Sequence, residues 1–212
     1  MKNPLSFITE QADQLEKRVS ELRIELRNRP IPYLVEATDC PFNKDFNRFE
    51  LPYWHQPIYI TVPQFQCINS TDQSPLRIIH QALILYYFFT ADGAPLTNKW
   101  VSFSELPNGR FYNQAYQGYT GKIIIQHFQN DIEKLIHAVQ RIHGEPVPFA
   151  DYSFRVQVLP RQPLLLVYWQ GDEDFPPNYQ ILFDANVIHY IPIDACAIAG
   201  KLLTSKLIAS TK

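Results

Sequence analysis

The sequence predicts an α+β fold, and three observations carry that reading. Apolar residues recur at helical spacing in the first two thirds of the chain and again at its end. Residues 152–191 read instead as a run of strands joined by short links, which makes neighbours antiparallel. Nowhere do strands and helices alternate as βαβ units, so a parallel sheet is not expected. The expected architecture is an antiparallel meander in the C-terminal third with helices packed on it, preceded by an N-terminal helical arm and a short β-hairpin.

Asn3-Pro4 opens the arm, with Asn as N-cap and Pro at the first helical position. Ile8, Ala12, Leu15, Val19, Leu22 and Leu26 follow at heptad spacing. Glu10 and Asp13 lie early and Arg23, Arg27 and Arg29 late, as the helix dipole favours. Pro30 and Pro32 end this arm, residues 1–29. The stripe reads either as an amphipathic helix docked on its own domain or as a homodimer seam through residues 8–26.

Residues 33–37, 46–51 and 58–62 are rich in β-branched and aromatic side chains and read as short strands. Pro52, Pro57 and Pro63 punctuate them, and residues 53–56 read as a hairpin connection. Ser74-Pro75 opens a second helix, apolar nearly all round over 76–90 and therefore buried on most sides. Asp92-Gly93 stops it, with Gly93 as the left-handed residue. Residues 100–106 form a short aromatic segment closed by a turn at 106–109. Residues 121–143 hold a further helical pattern with a break or recapping point at Asn130-Asp131.

Residues 152–158 alternate as a half-buried strand does. Residues 164–169 are continuously apolar, as on a strand buried on both faces. Residues 179–183 and 187–191 read as two more strands around a tight turn at 184–186. A closing helix starts at Pro192-Ile193-Asp194 and runs to about residue 209, with Gly200 marking close packing. The whole reads as one domain, 1–212, with a possible sub-boundary near 144–150.

Composition excludes several function classes. The chain of 212 residues is 46% hydrophobic and 14% aromatic, too apolar for disorder. Its 17 prolines outnumber its 7 glycines, and no Gly-rich phosphate cradle is present. A net charge of −2 gives no electrostatic footprint for nucleic acid. The longest apolar run, residues 82–89, is too short to span a bilayer. Three widely spaced cysteines, Cys40, Cys67 and Cys196, suit a reducing compartment and no iron–sulfur or zinc motif. The chain thus reads as soluble and cytoplasmic, with neither membrane nor nucleic acid as partner. No cofactor is predicted.

The segment 171–177 (GDEDFPP) is the most distinctive candidate site: three carboxylates follow directly on a buried strand ending at Trp169. Asp172 and Glu173 could bind a divalent metal or a cationic partner, or form a solvated turn. Asp184 could approach Asp172 across the meander as a paired carboxylate, or simply start a turn. Arg161 sits in the turn between the first two meander strands, where it could clamp an anion or pair with an acid. His80 shares a polar strip of the buried helix with Arg77 and could act as acid/base or as a bonded core histidine. No nucleophile signature is visible.

The segments 100–109 (WVSFSELPNG), 159–163 (LPRQP), 169–176 (WQGDEDFP) and 181–184 (ILFD) occur in that order. Together they resemble an uncharacterised prokaryotic family, a domain of unknown function, over about residues 12–209. Some relatives are joined to a cysteine-rich iron–sulfur segment, whereas the scattered cysteines here match no cluster motif. The resemblance implies no known activity. The expected function is a non-catalytic module binding a small ligand or partner in a pocket between the meander and the central helix. His80, Arg161, Trp169, Asp172 and Glu173 would line it. The alternatives are a divalent-metal enzyme using Asp172, Glu173 and Asp184, and a protein that dimerises through the arm.

Overall fold

A computed structural model describes the backbone of residues 4–171, 173 and 176–211, with side chains from residue 13 onward in those ranges. Helix α1, Pro4–Leu26, lays the end of its apolar stripe on the core: Val19, Leu22 and Leu26 are buried in this chain's own interior. That part of the stripe is committed within the chain, while the side chains of Ile8 and Ala12 lie outside the described residues.

Residues 33–37, expected as a strand, lie in helix α2, Ile31–Thr38. The prolines explain the difference. Pro30 supplies the extended N-cap and Pro32 sits in the first turn, where a missing N–H leaves no hydrogen bond unmade. Asp39 closes the helix in the left-handed conformation. So Pro30 and Pro32 start a helix rather than merely ending the arm.

A first sheet follows, antiparallel throughout: β1 (Phe42–Asn43), β2 (Arg48–Tyr53), β3 (Gln56–Thr61) and β4 (Cys67–Asn69), in that spatial order. The β2–β3 hairpin turns at Trp54-His55, where the sequence places it, with φ of 51° and 61°. Positive φ at both central residues matches the right-handed twist of the strands. Helix α3, Ile78–Thr90, is buried along most of its length, as its composition requires. It begins later than Ser74-Pro75 suggests, because Pro75 is taken up by an antiparallel bridge to Ile68. Gly93 has the expected positive φ of 84°.

After β5 (Trp100–Ser102) a 3-10 turn is closed by Ser102 and Glu105 as a capping box. Helices α4 (Gly109–Tyr119), α5 (Gly121–Phe128) and α6 (Ile132–Arg141) follow. The break expected at 130–131 is real: the Asp131 carboxylate accepts from the Lys134 N–H and caps α6.

The C-terminal sheet contains β6 (Glu145–Pro146), β7 (Tyr152–Leu159), β8 (Gln162–Trp169) and β9 (Asn178–Asp184), in the order β5-β9-β8-β7-β6. Residues 187–191, expected as the fourth meander strand, instead form a 3-10 turn over Val187–His189. The place beside β9 belongs to β5, because the Asp184 carboxylate binds the backbone at Thr97 and Asn98 and draws that segment alongside. Val187, Tyr190 and Ile191 turn inward, which explains their apolar character without a strand.

Strand β8 is buried on both faces, as its unbroken apolar run requires. Leu164 and Leu166 join the main core with α1, α3 and helix α7, Ile193–Ala209. Leu165 and Val167 pack on the other face with Trp100, Val147 and Trp169. Helix α7 passes so close to α4 that a Cβ on Gly200 would stand 2.4 Å from the Tyr116 hydroxyl. Among the described residues, no helix is long and apolar enough to cross a membrane.

Candidate functional site

Strand β8 emerges at Trp169, and the chain returns through Pro176 and Pro177 into β9, where Asn178 pairs with Trp169. Facing this end of the sheet is the α4–α5 corner. It rests directly on β9 at Gly121, where a Cβ would lie 2.5 Å from the Tyr179 carbonyl oxygen. Only glycine permits that approach without displacing the strand.

Between corner and strand ends lies a cleft of about 740 Å³. That is within the usual range for small-molecule sites. Trp169, Pro176, Pro177 and Ile125 supply its apolar faces. Five side-chain amides supply its polarity: Asn113 and Gln117 from α4, Gln170 after β8, and Asn178 and Gln180 from β9. The first two stand one helical turn apart, within 3.5 Å of each other, and the last two alternate onto one face of the strand.

Lys122 is the one charged side chain among the described lining residues, which include no carboxylate, imidazole or thiol. Each amide carries donors and an acceptor. The described side chains can therefore orient a polar molecule against flat apolar faces.

Of the described residues singled out in the sequence, Trp169 alone is among those that line this cleft. Glu173 is exposed on the loop, and Asp172 lies outside the described residues. Arg161 stands just beyond the far end of β8, a strand about 23 Å long at the usual rise per residue. Its Nη1 donates to the Gly93 carbonyl at 2.9 Å, and its backbone N–H donates to the Tyr87 hydroxyl at 3.1 Å. A hydrogen bond to Tyr190, with Asp39 nearby, holds its guanidinium more firmly protonated than usual. Arg161 thus ties the β7–β8 turn to the end of α3. It borders a separate recess of about 280 Å³, with Glu36 and Asp92.

His80 sits between α3 and the first sheet, its Nδ1 2.7 Å from the Tyr53 hydroxyl. Burial, helped by the charges of Arg77 and Lys206, lowers its pKa to about 4. Its neutral ring shares a hydrogen bond with the Tyr53 hydroxyl and links α3 to the first sheet.

Asp184 is 1% exposed and lies at the Leu164 end of β9, opposite the end that Trp169 marks. Its Oδ1 accepts from the Thr97 hydroxyl at 3.0 Å and the Asn186 N–H at 2.9 Å. Its Oδ2 accepts from the N–H groups of Thr97 at 3.0 Å and Asn98 at 2.7 Å. A carboxylate so surrounded is an anchor for the 97–102 segment.

The cleft that Trp169 borders thus lies between the meander and the α4–α5 corner, whereas Arg161 borders the smaller recess at the end of α3. The amides that line the cleft were missed because amides carry no motif. The available signals were the i, i+4 pair Asn113/Gln117 and the polar alternation Asn178/Gln180 in an otherwise apolar strand.

Residues 31–206 match the model of a protein family described as a domain of unknown function, DUF3786. No curated protein and no solved structure matches the chain.

Proposed function

Since the chain belongs to the DUF3786 family, whose description assigns no activity, its site must speak for it, and we propose a non-catalytic module that binds a neutral, polar small molecule in the Trp169 cleft. The observation that carries this reading is the lining itself, an indole and two prolines faced by five amides. Flat apolar surfaces take up a ring or a planar group, and amides satisfy its donors and acceptors in fixed directions. Lys122 is the one charge among the described lining residues, and a charged ligand would give up its hydration against them with little compensation, so neutral ligands are favoured. Three buried, unpaired thiols agree with a reducing compartment such as the cytoplasm.

The divalent-metal alternative has less support, because both Asp184 oxygens are already engaged with backbone and hydroxyl donors at the other end of β9.

The test is a thermal-shift panel of neutral monosaccharides, disaccharides and end-blocked dipeptides. At least one class should raise the melting temperature of the natural chain and leave Trp169→Ala unmoved. Ligands that stabilise both proteins equally would overturn the proposal.

A further inference from the structure

Helices α1, α3 and α7 border a second cleft, of about 510 Å³, with Tyr119 at the end of α4 beside it. It shares no lining residue with the Trp169 cleft. Its walls are mainly apolar. Leu15 of α1, Ile79 and Tyr86 of α3, and Ala197 and Ile198 of α7 rest on the core while each keeps an open side.

Two charges of opposite sign stand on the α7 wall. Asp194, Ile198 and Lys201 follow at i, i+4 and i+7 and so share one face of the helix. At a rise of about 1.5 Å per residue, the two charged positions lie about 10.5 Å apart along the axis. Both side chains are exposed, and neither forms a hydrogen bond or an ion pair with a described residue. Arg18, a second cation at the cleft, is already engaged. Its Nη1 lies 3.2 Å from Glu21 and 3.5 Å from Glu25, and its Nε donates to the Tyr86 hydroxyl at 3.3 Å.

The field of Asp194 reaches the cleft border. Burial first, and the Asp194 charge second, raise the pKa of the Tyr119 phenol. The positive end of the α7 dipole amounts to about half a charge, so it offsets only part of the carboxylate and this end stays negative.

Such a lining asks for a ligand with an ammonium at one end, a carboxylate at the other and apolar substance between. An extended chain spans at most about 3.3–3.6 Å per residue, so a single amino acid is too short to meet both charges and three residues suffice. We propose that this cleft binds short free peptides of about three residues, the amino terminus at Asp194 and the terminal carboxylate at Lys201. Their apolar side chains pack on Leu15, Ile79 and Ile198. Each charged end gains a charge-assisted hydrogen bond in place of its hydration.

The test is calorimetric titration of the full chain with the free tripeptides Ala-Leu-Ala and Ala-Phe-Ala and with their N-acetylated and C-amidated forms. At least one free tripeptide should bind saturably, and blocking either end should weaken binding about tenfold or more. Asp194→Asn should lose the preference for a free amine and keep that for a free carboxylate, and Lys201→Gln should do the reverse. Both positions are exposed, so the variants should melt close to the natural chain. Lys44→Gln, in the turn between β1 and β2 and outside the cleft, should bind as the natural chain does. No saturable uptake of either free tripeptide, equal binding of blocked and free forms, or variants that keep both preferences would each overturn the proposal.

Discussion

Asp184→Asn separates an anchoring carboxylate from a functional one. The substitution keeps the shape of a side chain that is 1% exposed but replaces one acceptor oxygen with an NH₂ group. Turned one way, the new amide faces the Asn98 N–H now bound at 2.7 Å; turned the other, it faces the Asn186 N–H now bound at 2.9 Å. In either orientation the fold loses a charge-assisted hydrogen bond, worth about 1.5–3 kcal/mol, and leaves a buried donor unsatisfied at about 1–3 kcal/mol. A combined loss of about 3–5 kcal/mol follows, given that such terms overlap. For a domain of this length it corresponds to a melting temperature lower by roughly 6–20 °C. Urea unfolding at neutral pH measures it. A loss below about 1 kcal/mol, the range of ordinary surface substitutions, would refute the anchoring role. So would an equally stable variant that has lost ligand binding.

Other expectations follow from the same contacts. Tyr116→Phe should leave stability unchanged or raise it by about 1 kcal/mol in thermal melts, since the Tyr116 hydroxyl is buried without a partner beside Gly200. With the folded-state pKa of His80 lowered to about 4, the unfolded chain takes up that proton first as the pH falls below its own value of about 6.5. Stability is therefore full above about pH 6.5 and declines toward pH 4; His80→Gln should flatten this part of the curve by about 1 kcal/mol, a figure discounted for the partial exposure of the ring.

The sequence showed most where a single force dominates. The unbroken apolar run of β8 announces burial on both faces and the near-uniform apolarity of α3 burial on most sides, and both elements are buried to that extent. Asp131 as a recapping residue and the Trp54-His55 turn were readable for similar local reasons. Reading failed where tertiary context decides. The residues of α2 carry strand-like side chains, and its helix rests on proline placement and on the burial of Leu34 and Ala37. Residues 187–191 are apolar because Val187, Tyr190 and Ile191 fill the core, not because they pair. Helix α4 shows little apolar stripe, since Tyr116 and Gly109 are its only buried residues.

The candidate site divides along the same line. Trp169 stands out by type and by its place at a strand end. Arg161, His80 and Asp184 drew notice as chemically capable side chains, yet each is engaged in holding two elements together. Convergence of five amides from α4, β9 and the strand end becomes visible only when the α4–α5 corner is laid on β9 through Gly121.

The most direct test of the central claim is a ¹⁵N-correlated NMR titration of the side-chain amide resonances with the neutral sugars and end-blocked dipeptides. A ligand that binds should move the signals of Asn113, Gln117, Gln170, Asn178 and Gln180 together, along with the Trp169 indole N–H. Perturbations that instead gather around Arg161 and Asp92, or that leave these amides in place while a ligand binds, would contradict the assignment of the cleft as the binding site.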